Sequence, residues 1–134
     1  SPNQLEKWSV LPIVQDSTIQ RLESDYVTIR RVFGNTNALS INMYTPPTYN
    51  PDLILRLNAI RNNIIELDLS GLPIEAKEIS NFKNLKKLFI YETNISQNGI
   101  DQLQGNNPEL RIISGISEEL RAAFIQTDSI KKEQ

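Results

Sequence analysis

Residues Ile64-Ile65-Glu66-Leu67-Asp68-Leu69-Ser70-Gly71-Leu72-Pro73-Ile74 return 21 positions later as Leu85-Lys86-Lys87-Leu88-Phe89-Ile90-Tyr91-Glu92-Thr93-Asn94-Ile95. Ile64, Leu67, Leu69, Leu72 and Ile74 superpose on Leu85, Leu88, Ile90, Thr93 and Ile95 without a gap. A further copy begins at Leu110 and Ile113, at an offset of 25, and deteriorates at Ser114 and Gly115. Backwards, Thr36, Leu39, Ile41 and Tyr44 fit at an offset of 28. Self-similarity at such a period is the mark of stacked supersecondary units that bury a core between neighbours. Two good copies flanked by two weak ones suit a short stack, because terminal units must close the core rather than extend it.

Each unit reads as a strand followed by a helix. Alternating apolar residues predict strands over Ala38–Met43, Ile65–Leu69, Lys86–Ile90 and Leu110–Ile113. Between them, Asn50 can cap a helix with Pro51 at its first position and Asp52 at its positive end, and Leu53, Leu57 and Ile60 form its inward stripe. Glu75–Phe82 is a shorter helix with Ile79 and Phe82 inward. Ser96 can cap a third, which buries Ile100 and Leu103 and ends at Asn106-Asn107-Pro108. In the first third, Val10–Val14 and Val27–Val32 read as strands around a helix from about Ser17 to Ser24, with Ser17 and Gln20 at capping-box spacing.

The expected architecture is one α/β domain: a short right-handed solenoid with parallel strands on one face and helices on the other. Residues 1–35 form an N-terminal α/β cap continuing the sheet, 36–116 about four irregular repeats, 117–127 a C-terminal capping helix with Leu120 and Phe124 facing back, and 128–134 a polar tail.

Composition narrows the chemistry. The 134 residues include 14 Lys and Arg against 16 Asp and Glu, with no Cys and no His. Disulfides, thiolate zinc sites, Cys nucleophiles, Ser-His-Asp triads and covalently attached c-type haem are therefore closed to this chain, and no cofactor is expected. A formal charge of −2 gives no reason to expect nucleic acid or an acidic membrane as a partner. No apolar run approaches the roughly 20 residues that span a bilayer. Ile (18) and Leu (15) dominate the apolar content, and 14 Asn suggest short buried strands separated by polar turns. The chain begins at Ser1 rather than Met, as a processed product or an excised piece of a longer protein would.

Leu67-Asp68-Leu69-Ser70, Leu85-Lys86-Lys87-Leu88-Phe89-Ile90, and Thr93-Asn94-Ile95-Ser96 followed by Gly99-Ile100 and Leu103 resemble bacterial leucine-rich repeats, in which such a strand leads into a "T-x-I-[ST]-x-x-G-[IL]-x-x-L" helix. That resemblance covers about half the chain. The Leu11–Thr18 segment, the Asn37-Ala38-Leu39-Ser40-Ile41 strand and Asn107-Pro108-Glu109-Leu110-Arg111-Ile112 extend it. Together they are similar to the C-terminal leucine-rich-repeat-like domain of membrane-anchored bacterial proteins that carry a c-type cytochrome domain. The resemblance implies an exported, periplasmic or otherwise extracytoplasmic, non-catalytic module of a parent protein active in electron transfer. It carries no haem ligand over, because Cys-x-x-Cys-His has no counterpart here.

Stacked repeats of this kind bind through the outward residues of their strands. With Leu67, Leu69, Leu88 and Ile90 inward, the outward residues are Glu66, Asp68 and Ser70 in one unit and Lys87, Phe89 and Tyr91 in the next. Ala38, Ser40 and Asn42 are expected on one side, Ile112 and Ser114 on the other. Phe89 and Tyr91 beside an acidic patch suit a protein partner, either separate or another domain of the same parent chain. Packing of Phe89 beneath the N-terminal cap is the structural alternative. A small-ligand or glycan site using both rings is the functional one. Glu66 and Asp68 on one strand also admit a two-carboxylate enzyme, although a shallow face leaves both solvated. Asn94-Ile95-Ser96 matches a glycosylation sequon, but the repeat itself demands those residues. Tyr44-Thr45-Pro46-Pro47-Thr48-Tyr49 reads as a rigid surface loop, and Lys77, Lys83, Lys86 and Lys87 as a solvated face offset by Glu75, Glu78 and Glu92.

Overall fold

The computed structural model describes residues 7–115. Helix α1 (Asp16–Leu22) leads to strand β1 (Val27–Arg31), which turns back into β2 (Leu39–Met43). Helix α2 (Asp52–Leu55) runs on as 3-10 turns over Arg56–Asn63 into β3 (Ile64–Asp68). A 3-10 turn (Ala76–Ile79), β4 (Lys87–Phe89), α3 (Gln97–Asn106) and β5 (Arg111–Ile113) complete the chain order. The five strands form one sheet in sequence order, with β1 antiparallel to β2 and every later pair parallel. The domain is thus α/β with a mostly parallel sheet.

Register aligns the repeat. Ile41, Leu67, Leu88 and Ile112 are successive cross-strand partners, and Leu67 and Leu88 are 0% exposed. They share one core with Ile54, Leu57 and Ile60 before β3, Ile79 and Phe82 before β4, and Leu103 of α3. Fully burying one such aliphatic side chain contributes roughly 1.5–3 kcal/mol. Ile112 packs against this core, which corrects its expected outward placement: β5 directs Arg111 and Ile113 outward instead, and Ser114 lies exposed past its end. Ala38, also expected outward, is fully buried, because it precedes β2 next to a register shift between Leu39 and Ser40.

The 21-residue spacing recurs in backbone geometry. Gly71 (φ 86) and Glu92 (φ 56) are both left-handed. At Gly71 a Cβ would stand 2.9 Å from Thr45 Oγ1, so glycine meets a steric as well as a conformational need. Glu92 adopts the same hand without that neighbour. Four residues further on in each unit, Glu75 and Ser96 open the following helical segments. The Glu78 carboxylate accepts the Glu75 amide at 2.8 Å, and Ser96 Oγ accepts the Gly99 amide at 3.1 Å. Ser96 thus caps α3, with Ile95 half-buried against the core, so the repeat uses the residues of the sequon.

Asparagines tie neighbouring units together. Asn63 Nδ2 donates to the Asn37 carbonyl at 3.0 Å and to the Pro12 carbonyl at 2.6 Å. Asn84 Nδ2 donates to the Asn62 carbonyl at 2.7 Å, and Asn107 Nδ2 to the Leu85 carbonyl at 2.8 Å. Each bond satisfies a carbonyl outside the strand ladder.

Several local expectations are corrected. Val10–Val14 is not a strand: residues 7–9 are helical, and Val10 and Ile13 are 82% and 84% exposed. Pro12 lacks an N–H for a ladder, and Asn side chains hold this segment in its place, with the Val14 amide donating to Asn37 Oδ1 at 3.1 Å. Helix α1 starts at Asp16 with no side-chain cap, so Ser17 and Gln20 form no box. Asn50 Oδ1 accepts the Asp52 amide at 3.0 Å, as a cap should, but the α-helix it opens lasts four residues before tightening to 3-10 turns. The Glu75–Phe82 segment is likewise a 3-10 turn over Ala76–Ile79. The expected C-terminal helix and tail lie outside the described residues.

Candidate interface on the outward strand face

The face of the sheet opposite the core is built from two cross-strand rows. Arg30, Ser40, Glu66, Lys87 and Arg111 are successive partners in one, and Thr28, Asn42, Asp68, Phe89 and Ile113 in the other. Side chains on alternate positions of paired strands share a face. Glu66, Asp68, Lys87 and Phe89 accordingly line one open groove of about 370 Å³ with residues of β1 and β2.

The groove is internally wired at one end. Arg30 lies 3.7 Å from the Glu66 carboxylate, and Asp68 Oδ1 accepts the Ser70 amide at 3.0 Å, which turns the chain out of β3. Toward β4, the Lys87 ammonium sits 5.3 Å from the centroid of the Phe89 ring, within cation–π range. Phe89 is half-buried by these neighbours.

Ser70 and Tyr91 stand apart from the other four expected residues. They lie past the ends of β3 and β4, where Ser70 Oγ accepts the Tyr91 amide at 3.2 Å, and they do not line the groove. Tyr91 remains 36% exposed. The carboxylates Glu66 and Asp68 do share a face, but both have partners, and the site they occupy is open. The four lysines read as one face divide: Lys77 pairs with Glu75 at 3.3 Å, Lys86 with Glu109 at 2.8 Å, Lys87 lies in the groove, and Lys83 lines a separate cavity beside Phe82 and Leu103. The Lys86 hydrogen bond, followed by the charges of Lys86 and Lys7, holds the exposed Glu109 carboxyl below its usual range.

Sequence reasoning missed Thr28 and Arg30, which it consigned to the cap, and Arg111. The signal was available in the alternation of Val27-Thr28-Ile29-Arg30, which makes β1 a two-faced strand. A second open cavity of about 440 Å³ joins Lys7, Trp8 and Leu11 to Ile65, Lys86 and Glu109. There the N-terminal segment lies beside Ile65, the residue set aside by the register shift in β3. Phe89 does not line that cavity; it lines the strand-face groove with Thr28 and Arg30 of β1. Among the described residues, no helix is long and apolar enough to cross a membrane. No family model matches the chain, and no curated protein matches it.

Proposed function

We propose that this domain is a non-catalytic, leucine-rich-repeat-like interaction module that binds a protein partner through its outward strand face. The observation carrying this is the groove itself: four successive strands contribute charged, polar and aromatic side chains to one concave surface whose reverse side is the core. The 21-residue recurrence of left-handed residues and caps and the asparagine bonds between units support the repeat reading, since stacked units reuse one local geometry. Open access, and partners already present for Glu66 and Asp68, favour binding over two-carboxylate catalysis, which needs one carboxyl kept neutral in a secluded site. Lys87 beside the Phe89 ring makes that end of the groove a mixed charged and apolar surface, which suits a protein partner. On this reading the partner is another domain of the same parent chain or a separate exported protein.

A photo-crosslinking side chain placed at Asp68 or Phe89 in the cell of origin tests the assignment, with Lys83 on a different surface as the comparison. Discrete adducts at positions 68 and 89 but not at 83 are the expected outcome. Equal labelling at all three removes the strand face from consideration.

A further inference from the structure

Acids and bases on the outward face are satisfied unequally. Glu66 faces Arg30 at 3.7 Å, and Asp68 accepts the Ser70 amide. Lys87 and Arg111 are direct partners in the parallel ladder between β4 and β5, and among the described residues neither has a side-chain hydrogen bond or ion pair. Strands in a ladder lie about 4.8 Å apart, so an ammonium and a guanidinium on adjacent strands can converge on one carboxylate. Like charges directly opposite each other cost stability; Lys87 is relieved in part by Glu66, its partner on the other side, and by the Phe89 ring, whereas among the described residues no acid pairs with Arg111. The acids of the groove are therefore engaged internally, while at the β4 and β5 end the Lys87 and Arg111 side chains have, among the described residues, no hydrogen bond or ion pair. One step along the same strands, Phe89 and Ile113 form the adjacent pair on this face.

We infer that the β4–β5 end of the strand face binds an acidic, extended peptide segment of the partner, with a carboxylate held between Lys87 and Arg111 and the neighbouring apolar side chain against Phe89 and Ile113. This rests on the strand-face reading above and specifies its partner. An acidic side chain beside an apolar one reproduces the alternation of the surface, since neighbouring residues of an extended peptide are spaced like the rows they would cross. A polyanionic chain fits less well. Two adjacent cations give it no continuous track, and the chain as a whole carries a formal charge of −2.

The test uses the 134-residue chain and fluorescence anisotropy with labelled, end-blocked octapeptides of alternating glutamate and leucine. The same peptide with glutamine for glutamate and a sulfated oligosaccharide serve as comparisons. The glutamate peptide is expected to bind about tenfold more tightly than the glutamine peptide, as charge-assisted hydrogen bonds imply. Lys87→Gln and Arg111→Gln should each weaken it about tenfold without lowering the melting temperature, while Lys83→Gln leaves it unchanged. Added salt should reduce the glutamate preference. Equal binding of the two peptides, insensitivity to both substitutions, or tighter binding of the sulfated oligosaccharide through the same two residues overturns the inference. If one of these occurs while crosslinks still form at Asp68 and Phe89, only the partner's chemistry is wrong. Loss of those crosslinks removes both readings.

Discussion

Between Ile64 and Asn107 the chain is held by aliphatic side chains that recur at fixed spacing, whereas between Pro12 and Asn37 the buried Val14, Ile19, Leu22, Val27 and Ile29 follow no such period and are supplemented by directional polar bonds that converge on one side chain. Arg31 is the hub of the second region: its guanidinium donates to the Val14 carbonyl at 2.6 Å, the Thr36 carbonyl at 3.0 Å and the Asp16 carboxylate at 2.8 Å. Glu23 accepts the Ile29 amide at 3.2 Å on the outer edge of β1, blunting an edge that would otherwise offer an unpaired donor. The difference teaches that burial is shared among many contacts, while a bond to a single guanidinium is not. A repeat can afford a weak copy at either end. A cap of this kind depends on individual residues.

Leu67→Ala strikes the repeat at a position with no exposed surface, and chemical denaturation should show a loss of about 2–5 kcal/mol, as for other buried leucines. If the repeat and the N-terminal region unfold as one unit, both lose hydrogen-exchange protection together; protection retained over β1 and β2 would break the comparison in favour of two independent units. Asn63→Ala removes a 3% exposed side chain that serves both regions. It leaves the Pro12 and Asn37 carbonyls without that donor, and a cost of about 2 kcal/mol is expected. Exchange should quicken most over residues 12–14 and 37–41, and uniform quickening as far as β5 would show that the cap has no separate weakness.

The smallest effect concerns Tyr49, whose hydroxyl donates to Glu78 Oε1 at 3.1 Å and so anchors the loop after β2 to the capped turn at Glu75. Burial, then the Glu78 hydrogen bond and the Glu78 charge, push this phenol well above its ordinary value. Because the folded state holds the proton more tightly, the contribution is complete below the unfolded value near 10 and declines as pH rises through the folded value. The stability difference between the native chain and Tyr49→Phe should be about 1 kcal/mol at neutral pH and should shrink above pH 10. A difference that stays constant to high pH would mean the phenol does not titrate differently on folding.

The contrast between regions also governs what the amino-acid sequence discloses. Leu67, Leu88 and Ile41 announce their inward placement because apolar periodicity is a local signal, and Ser96 announces its cap because the bonded amide is three residues away. Arg31 discloses nothing comparable, since its acceptors on Val14 and Asp16 lie 17 and 15 residues earlier and no pattern pairs them. Val10–Val14 misleads for the same reason: its apolar residues suggest a strand, but Pro12 and distant asparagines decide its path. On the candidate face, Glu66, Asp68, Lys87 and Phe89 follow from alternation alone. Arg111 in place of Ile112 does not, because the unit leading to β5 is longer and shifts the alternation by one residue relative to the 25-residue alignment. Tyr91 and Ser70 were placed on the face by extending alternation beyond the last paired residues, where turns take over.

The asparagine side chains bind carbonyls, groups that every residue possesses, so these polar bonds, unlike the apolar packing beside them, place no demand on the identity of the residue they meet. A further 21-residue copy inserted after Asn84 would meet the same acceptor on one side and offer the same donor on the other. On the proposed repeat reading, the number of strands is thus an editable dimension, and the width of the outward face can change without redesigning this polar joint.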